Sequence, residues 1–223
     1  METVIVFDMD GVLADVTESY REAIVQTVKR FTGTLIERDS VQEYKNRGGW
    51  NNDWALSQKI AADLGVSVPY QTVVDYFNEV FIGHNGGGLI QREQWLPAPG
   101  LLERLGKRAG LALFTGRLQY EAEITLRRFA PDIVFDPMLC AEHVTRAKPH
   151  PEGLIEIQRR TNASKPWYVG DTVDDARSAR AAGMPFIGVA SKDHPTRTDI
   201  LRLFQQEKAA AVVENVNEIE DIV

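Results

Sequence analysis

A single cysteine, Cys140, occurs in the 223 residues, so no internal disulfide can staple this chain. That usage fits a reducing compartment. No stretch approaches the ~20 uninterrupted apolar residues that a membrane helix requires. The opening METVIVFDMDG lacks the basic region and long apolar run of a secretory signal. A cytoplasmic protein with no membrane partner is therefore expected. Positive charge is also scarce: 25 Lys and Arg against 32 Asp and Glu leave a net charge of −7. Broad nucleic-acid binding needs a basic surface, so nucleic acid is not an expected partner. A small anionic ligand is still compatible, because its site depends on local charge. Repeats and low-complexity tracts are absent. The 43% hydrophobic and 26% charged residues suit a core domain with a smaller insertion.

The first element, TVIVFD, is a β-branched apolar run of the kind buried in parallel sheets. From about residue 15 to 83 the rhythm is helical. Tyr20, Ile24, Val28 and Phe31 recur at near-helical spacing, as do Leu56, Ile60 and Leu64, with Gly65 as C-cap. Val73, Phe77, Val80 and Phe81 mark a helix starting near Pro69. The run His84-Asn85-Gly86-Gly87-Gly88 then breaks the pattern. Short apolar runs at 111–115, 133–135, 167–169 and 186–189 follow, separated by helical segments near 100–109, 119–129, 151–161 and 174–182. A strand at 211–213 and a short acidic helix close the chain. Alternating strands and helices predict an α/β fold with a parallel-sheet core, built from residues 1–14 and 90–223 and interrupted by an all-α insertion at 15–89. In such sheets ligands bind at the carboxyl ends of strands.

Four strand ends carry reactive groups. Asp8 and Asp10 flank Met9 before Gly11, which permits a tight turn; two carboxylates so spaced can take separate roles. Thr115 and Gly116 offer a hydroxyl and a bare amide, followed by Arg117. Lys148 is a cation between Ala147 and Pro149, able to neutralise a carboxylate and a phosphate. Asp171, Asp174 and Asp175 follow the fourth strand. Each has a plainer alternative: capping acids, a capping threonine, a surface lysine, an acidic helix start. Their combination, in fixed order after successive strands, is far more specific than any part.

The segments FDMDGV, FTGR, AKPHPEG and VGDTVDDARSARAAG closely resemble the four signature motifs of haloacid dehalogenase-like hydrolases. The helical insertion resembles the cap of the subfamily that includes phosphoglycolate phosphatases and β-phosphoglucomutases. The resemblance implies a Mg²⁺-dependent phosphatase acting on a small phosphorylated metabolite, as a monomer or homodimer. It implies Asp8 as nucleophile, Asp10 as acid and base, and Thr115, Gly116 and Lys148 as phosphate holders. Metal would be held by Asp8, Asp171 and the Asp10 carbonyl, with Asp175 acting through water.

In the insertion, residues 45–54 set glycines beside Trp50 and Trp54, two cations and several amides. Read as a substrate-facing turn of a lid, the segment offers Lys45, Arg47, Asn51 and Asn52 as substrate contacts, with Arg117 from the core. Asn52 stands where related caps carry an arginine on an ungapped alignment. The plainer reading makes Asn52 an N-cap and the tryptophans packing residues. A sugar phosphomutase is the neighbouring alternative. A dehalogenase would give Asp10 no alcohol to protonate, and a phosphonatase would need a cap lysine such as Lys45 to form a Schiff base. From another class, a phosphoacceptor signalling domain shares the chemistry but carries its acceptor on a middle strand and lacks the insertion.

Overall fold

A computed structural model describes residues 1–192 and 196–223, including every side chain among them except that of Asn85. The chain divides into two compact units, Met1–Ala14 with Trp95–Val223, and Asp15–Gln94.

Strand β1 (Thr3–Phe7) is apolar throughout its length, and Val4 through Phe7 are buried. Short strand β2 (Ala14–Asp15) leads into the second unit. There the chain forms helices α1 (Tyr20–Thr32), α2 (Arg38–Arg47), α3 (Asp53–Asp63) and α4 (Tyr70–Phe81). The Tyr20 ring of α1 lies with its centre 3.9 Å from that of Phe81 of α4, tilted by 34°, and Phe77 lies beside both rings. Helix α2 was not singled out by apolar spacing. Its large buried apolar residue is Val41 alone, and Arg38 at its start pairs with Glu18 and Glu22 instead. The glycine run at 86–88 closes one 3₁₀ turn (His84–Gly86) and leads into another (Leu89–Arg92), and the chain leaves the unit later, through strand β3 (Gln94–Trp95), which pairs with β2.

The first unit continues with α5 (Leu101–Gly106), β4 (Gly110–Phe114), α6 (Gln119–Phe129), β5 (Met138–Leu139) and α7 (Glu152–Thr161). It ends with β6 (Lys165–Gly170), α8 (Val173–Ala182), β7 (Phe186–Val189), α9 (Arg197–Gln206) and β8 (Ala211–Val213). Six strands form one parallel sheet in the order β5-β4-β1-β6-β7-β8, which bears out the expected α/β class. The first strand thus lies inside the sheet, flanked by β4 and β6. One expectation is corrected, and one element is added. The apolar run 133–135 is not a strand; β5 forms at Met138 and Leu139, because those residues meet Leu113 and Phe114 in register. Helix α9 was not expected, although Ile200 and Phe204 sit buried one turn apart. No helix among the described residues is long and apolar enough to cross a membrane.

Two glycines let helices settle onto the sheet. A Cβ on Gly188 would lie 2.4 Å from the Phe204 ring, and one on Gly153 would lie 2.3 Å from the Phe114 ring. Alanine at position 153 would gain up to about 1 kcal/mol of helix propensity. Overpacking a fixed core ring costs about 1–3 kcal/mol, and the ring cannot withdraw from the sheet without disturbing its neighbours. Gly153→Ala is expected to destabilise the protein by about 1–2 kcal/mol net, read as a lower urea midpoint. A midpoint equal to or above that of the unmodified protein would contradict this packing.

Candidate active site

The carboxyl ends of β1, β4 and β6 bring the expected groups of the first unit together. Asp8 follows β1 directly, and its amide donates to the Val169 carbonyl at 2.8 Å, continuing the ladder past the strand. Its side chain is nearly buried. Lys148, before α7, places Nζ 2.9 Å from Asp8 and 2.8 Å from Asp175. The same nitrogen donates to the Tyr168 hydroxyl at 3.0 Å. Asp175 is fully enclosed: its Oδ1 also accepts from Tyr168 at 2.7 Å, and its Oδ2 from the Thr172 amide and hydroxyl. Gly170 permits this approach, since a Cβ there would fall 2.5 Å from the Asp175 side chain.

Burial penalises every charge in this cluster, and the partners decide which groups remain ionised. Burial raises Asp8 well above the usual carboxylate range; Lys148 opposes the rise, while Asp175, Asp171 and Asp10 reinforce it. Burial acts the same way on Asp175, but Lys148 and hydrogen bonds from Thr172 and Tyr168 outweigh it, leaving that carboxyl lowered. For Lys148 burial favours the neutral amine, yet Asp175 and Asp8 together raise it above its ordinary value. The Tyr168 phenol is raised by burial and by the same two carboxylates. One ammonium is thus shared by two acids and cannot fully serve both.

Asp171 completes the acidic set. One oxygen from each of Asp8, Asp171 and Asp175 lies within 4.8 Å of the others. Gly11, with φ +71°, makes room for Asp171: a Cβ there would fall 2.0 Å from its Oδ2. Three carboxylates against one ammonium leave a formal charge of −2, which one divalent cation would balance. The donors are all oxygen, as a hard cation such as Mg²⁺ prefers, and two or three protein ligands suffice because the ion keeps water. The site therefore fits such an ion. Asp175 contributes from behind, since both its oxygens already accept hydrogen bonds.

Thr115 is buried at the end of β4, where its hydroxyl accepts from the Arg117 amide at 3.2 Å. Gly116 beside it is exposed. Arg117 is not presented to a substrate as expected. Its side chain is 1% exposed, with Nε 2.7 Å and Nη2 2.6 Å from Asp10 Oδ1 and Nη1 2.8 Å from the Thr125 hydroxyl. The Asp10 carboxylate therefore lies outside the three-acid set, paired with a guanidinium that motif reading assigned elsewhere. A buried arginine following a strand-end threonine was the available signal.

In the second unit, the expected substrate turn at 45–54 proves narrower. Lys45 and Arg47 belong to the last turn of α2; Gly48 and Gly49, both with positive φ, make the bend. Lys45 is paired with Asp53 at 2.8 Å, and the Arg47 guanidinium lies 5.0 Å from the Tyr44 ring centre. Asn52 caps α3: its Oδ1 accepts from the Ala55 amide at 2.8 Å, and its Nδ2 donates to the Tyr70 hydroxyl at 3.1 Å. Asn51 precedes it, half-buried. The local geometry accounts for Asn52 as a cap without a ligand.

Comparison with known proteins identifies the family. Residues 5–189 match the family model of haloacid dehalogenase-like hydrolases. The chain is 31% identical over 194 residues to an imidazoleglycerol-phosphate dehydratase of Phytophthora nicotianae, covering 83% of this chain but only 42% of that protein's length. It is 28% identical over 211 residues to Probable phosphatase IndB of Dickeya dadantii, covering 88% of this chain and 84% of that one. The fold also resembles the crystal structure of a HAD-superfamily hydrolase, subfamily IA, from Geobacter sulfurreducens. There the TM-score is 0.65 at 24% identity, over 99% of this chain and 95% of the other. The family match begins within β1 and runs to the end of β7, so it takes in all four reactive strand ends, and the chain belongs to the haloacid dehalogenase-like hydrolases.

Proposed function

We propose that the protein is a Mg²⁺-dependent phosphatase that hydrolyses a small phosphomonoester through an aspartyl-phosphate on Asp8. The observation that carries this reading is Lys148 held within 3 Å of Asp8 beside two further acids, all at the end of one parallel sheet. A carboxylate kept next to a buried ammonium is oriented as a nucleophile, and the same ammonium can meet a transferring phosphoryl group. The phosphatase name of the Dickeya relative supports the same class of reaction.

In the forward step an Asp8 oxygen attacks phosphorus while the bond to the ester oxygen breaks. Asp10 delivers a proton to the departing alcohol. In the second step Asp10 takes a proton from water as the water oxygen attacks the phosphoryl group, and Asp8 leaves as a free carboxylate. Thr115 Oγ1, the Gly116 amide and Lys148 Nζ hold the transferring oxygens. Asp8, Asp171 and the Asp10 carbonyl would hold Mg²⁺, with Asp175 behind them. When bound, the ion supplies the charge that offsets repulsion between Asp8 and an incoming phosphate dianion. The Lys45 ammonium, engaged by Asp53, gives no support to the Schiff-base alternative.

Phosphate release from p-nitrophenyl phosphate and a panel of metabolite monoesters tests this. Asp8→Asn is expected to lose on the order of 10⁴-fold or more in kcat while remaining folded; turnover near wild type would refute the nucleophile assignment. Chelation by EDTA should stop release and added Mg²⁺ restore it. Release that continues unchanged in EDTA would remove the metal from the scheme. Gly11→Ala, which pushes Asp171 aside, is expected to raise the Mg²⁺ concentration for half-maximal rate by about 10-fold or more. An unchanged requirement would argue against Asp171 as a ligand. Isomerised sugar phosphate without free phosphate would replace hydrolysis by intramolecular transfer.

A further inference from the structure

Asp10 has a partner that the reaction scheme does not use. Both Nε and Nη2 of Arg117 converge on the same carboxylate oxygen, Oδ1, at 2.7 and 2.6 Å. Its remaining terminal nitrogen, Nη1, donates to Thr125 Oγ1 at 2.8 Å, in the middle of α6. Arg117 and Thr125 are buried, whereas the Asp10 side chain is 30% exposed. The guanidinium is therefore fixed by the core at one end and grips a half-open carboxylate at the other. Substrate cannot be what it binds: at 1% side-chain exposure it has no open face. A planar fork suits this task, because several fixed N–H vectors define the orientation of a carboxylate that a single point charge would leave free to rotate.

Gripping one oxygen has a chemical consequence. Oδ1 accepts both bonds, so Oδ2 is the oxygen able to carry and exchange a proton. The next residue, Gly11, sits in a tight turn, with its amide bonded to the Ala14 carbonyl at 2.9 Å. Rotation about the Asp10 side-chain bonds would swing Oδ2 away from an ester oxygen, and proton transfer requires hydrogen-bond reach of about 3 Å.

We propose that Arg117 is a positioning residue that clamps Asp10 by Oδ1 so that Oδ2 faces the leaving oxygen, with Thr125 fixing the clamp. The proposal rests on the phosphatase reading above. In the step it serves, the Asp8–phosphorus bond forms, the phosphorus–ester oxygen bond breaks, and the proton on Asp10 Oδ2 passes to that oxygen.

The demand for this proton varies with the leaving group. An alcohol or phenol of high pKa departs poorly as its anion, whereas dinitrophenolate needs no proton. kcat/KM reports the first, bond-breaking step, so a series of aryl monophosphates from 2,4-dinitrophenyl to phenyl phosphate reads the clamp directly. Arg117→Met is expected to lower kcat/KM for phenyl phosphate by roughly 10²-fold, within the usual contribution of general acid catalysis, and to leave 2,4-dinitrophenyl phosphate within about tenfold of wild type. The plot against leaving-group pKa becomes steeper. Arg117→Lys, which keeps the charge but loses the fork, should fall between. Thr125→Val removes only the outer anchor and should steepen the slope in the same direction, which keeps the test decisive should Arg117→Met fold poorly. An equal loss across the series, with the wild-type slope retained in Arg117→Lys and Thr125→Val, would overturn the proposal and leave Arg117 a structural residue. Failure of the phosphatase reading itself looks different: wild type would then release phosphate from no member of the series, or Asp8→Asn would release it as well as wild type.

Discussion

One buried ammonium governs this protein. Lys148 is placed where two enclosed carboxylates need it, and burying any of the three alone would cost several kcal/mol. Together they form a cluster whose charges do not cancel, and its geometry demands much of the surrounding fold. Tyr168 and Thr172 must donate to Asp175 so that it stays ionised beside its neighbours. Gly170 must lack a side chain so that Asp175 can approach. Strand β1 must lie inside the sheet so that Asp8 reaches a lysine delivered by the loop before α7. The residual negative charge is what makes room, electrostatically, for a divalent cation.

Asp8 and Asp10 are chemically identical and only two residues apart, yet the fold gives them different surroundings. Asp8 is enclosed and meets an ammonium; Asp10 is partly open and meets a guanidinium. Environments of this kind let paired carboxylates divide labour, one attacking and the other moving protons. The D-x-D spacing alone does not set these surroundings. Each carboxylate meets a partner from a different loop, Lys148 for Asp8 and Arg117 for Asp10.

Much of this was legible in the residues. Buried parallel strands announce themselves as β-branched runs, and their ends mark where polar groups collect, so the core architecture and the convergence of Asp8, Lys148, Asp171 and Asp175 could be anticipated. Other features follow from pairing that no local pattern encodes. Met138 and Leu139 form a strand because Leu113 and Phe114 lie alongside, while the more strand-like 133–135 run has no such partner in the sheet. The Asp10–Arg117 pair joins positions 107 residues apart, and a surface-directed arginine has the same sequence as a buried one. Asn52 was ambiguous for a different reason: the amide that would touch a ligand is equally suited to close a helix end, and here it closes α3.

The placement of β1 also bears on how the chain is made. This strand leaves the ribosome well before either of its neighbours, since β4 begins at Gly110 and β6 at Lys165. Until the later of these has emerged, a five-residue apolar ribbon waits with an unpaired edge. The segment that carries Asp8 is thus locked on both sides only once β6 has been made, and a shorter nascent chain lacks the cluster of Asp8, Lys148 and Asp175.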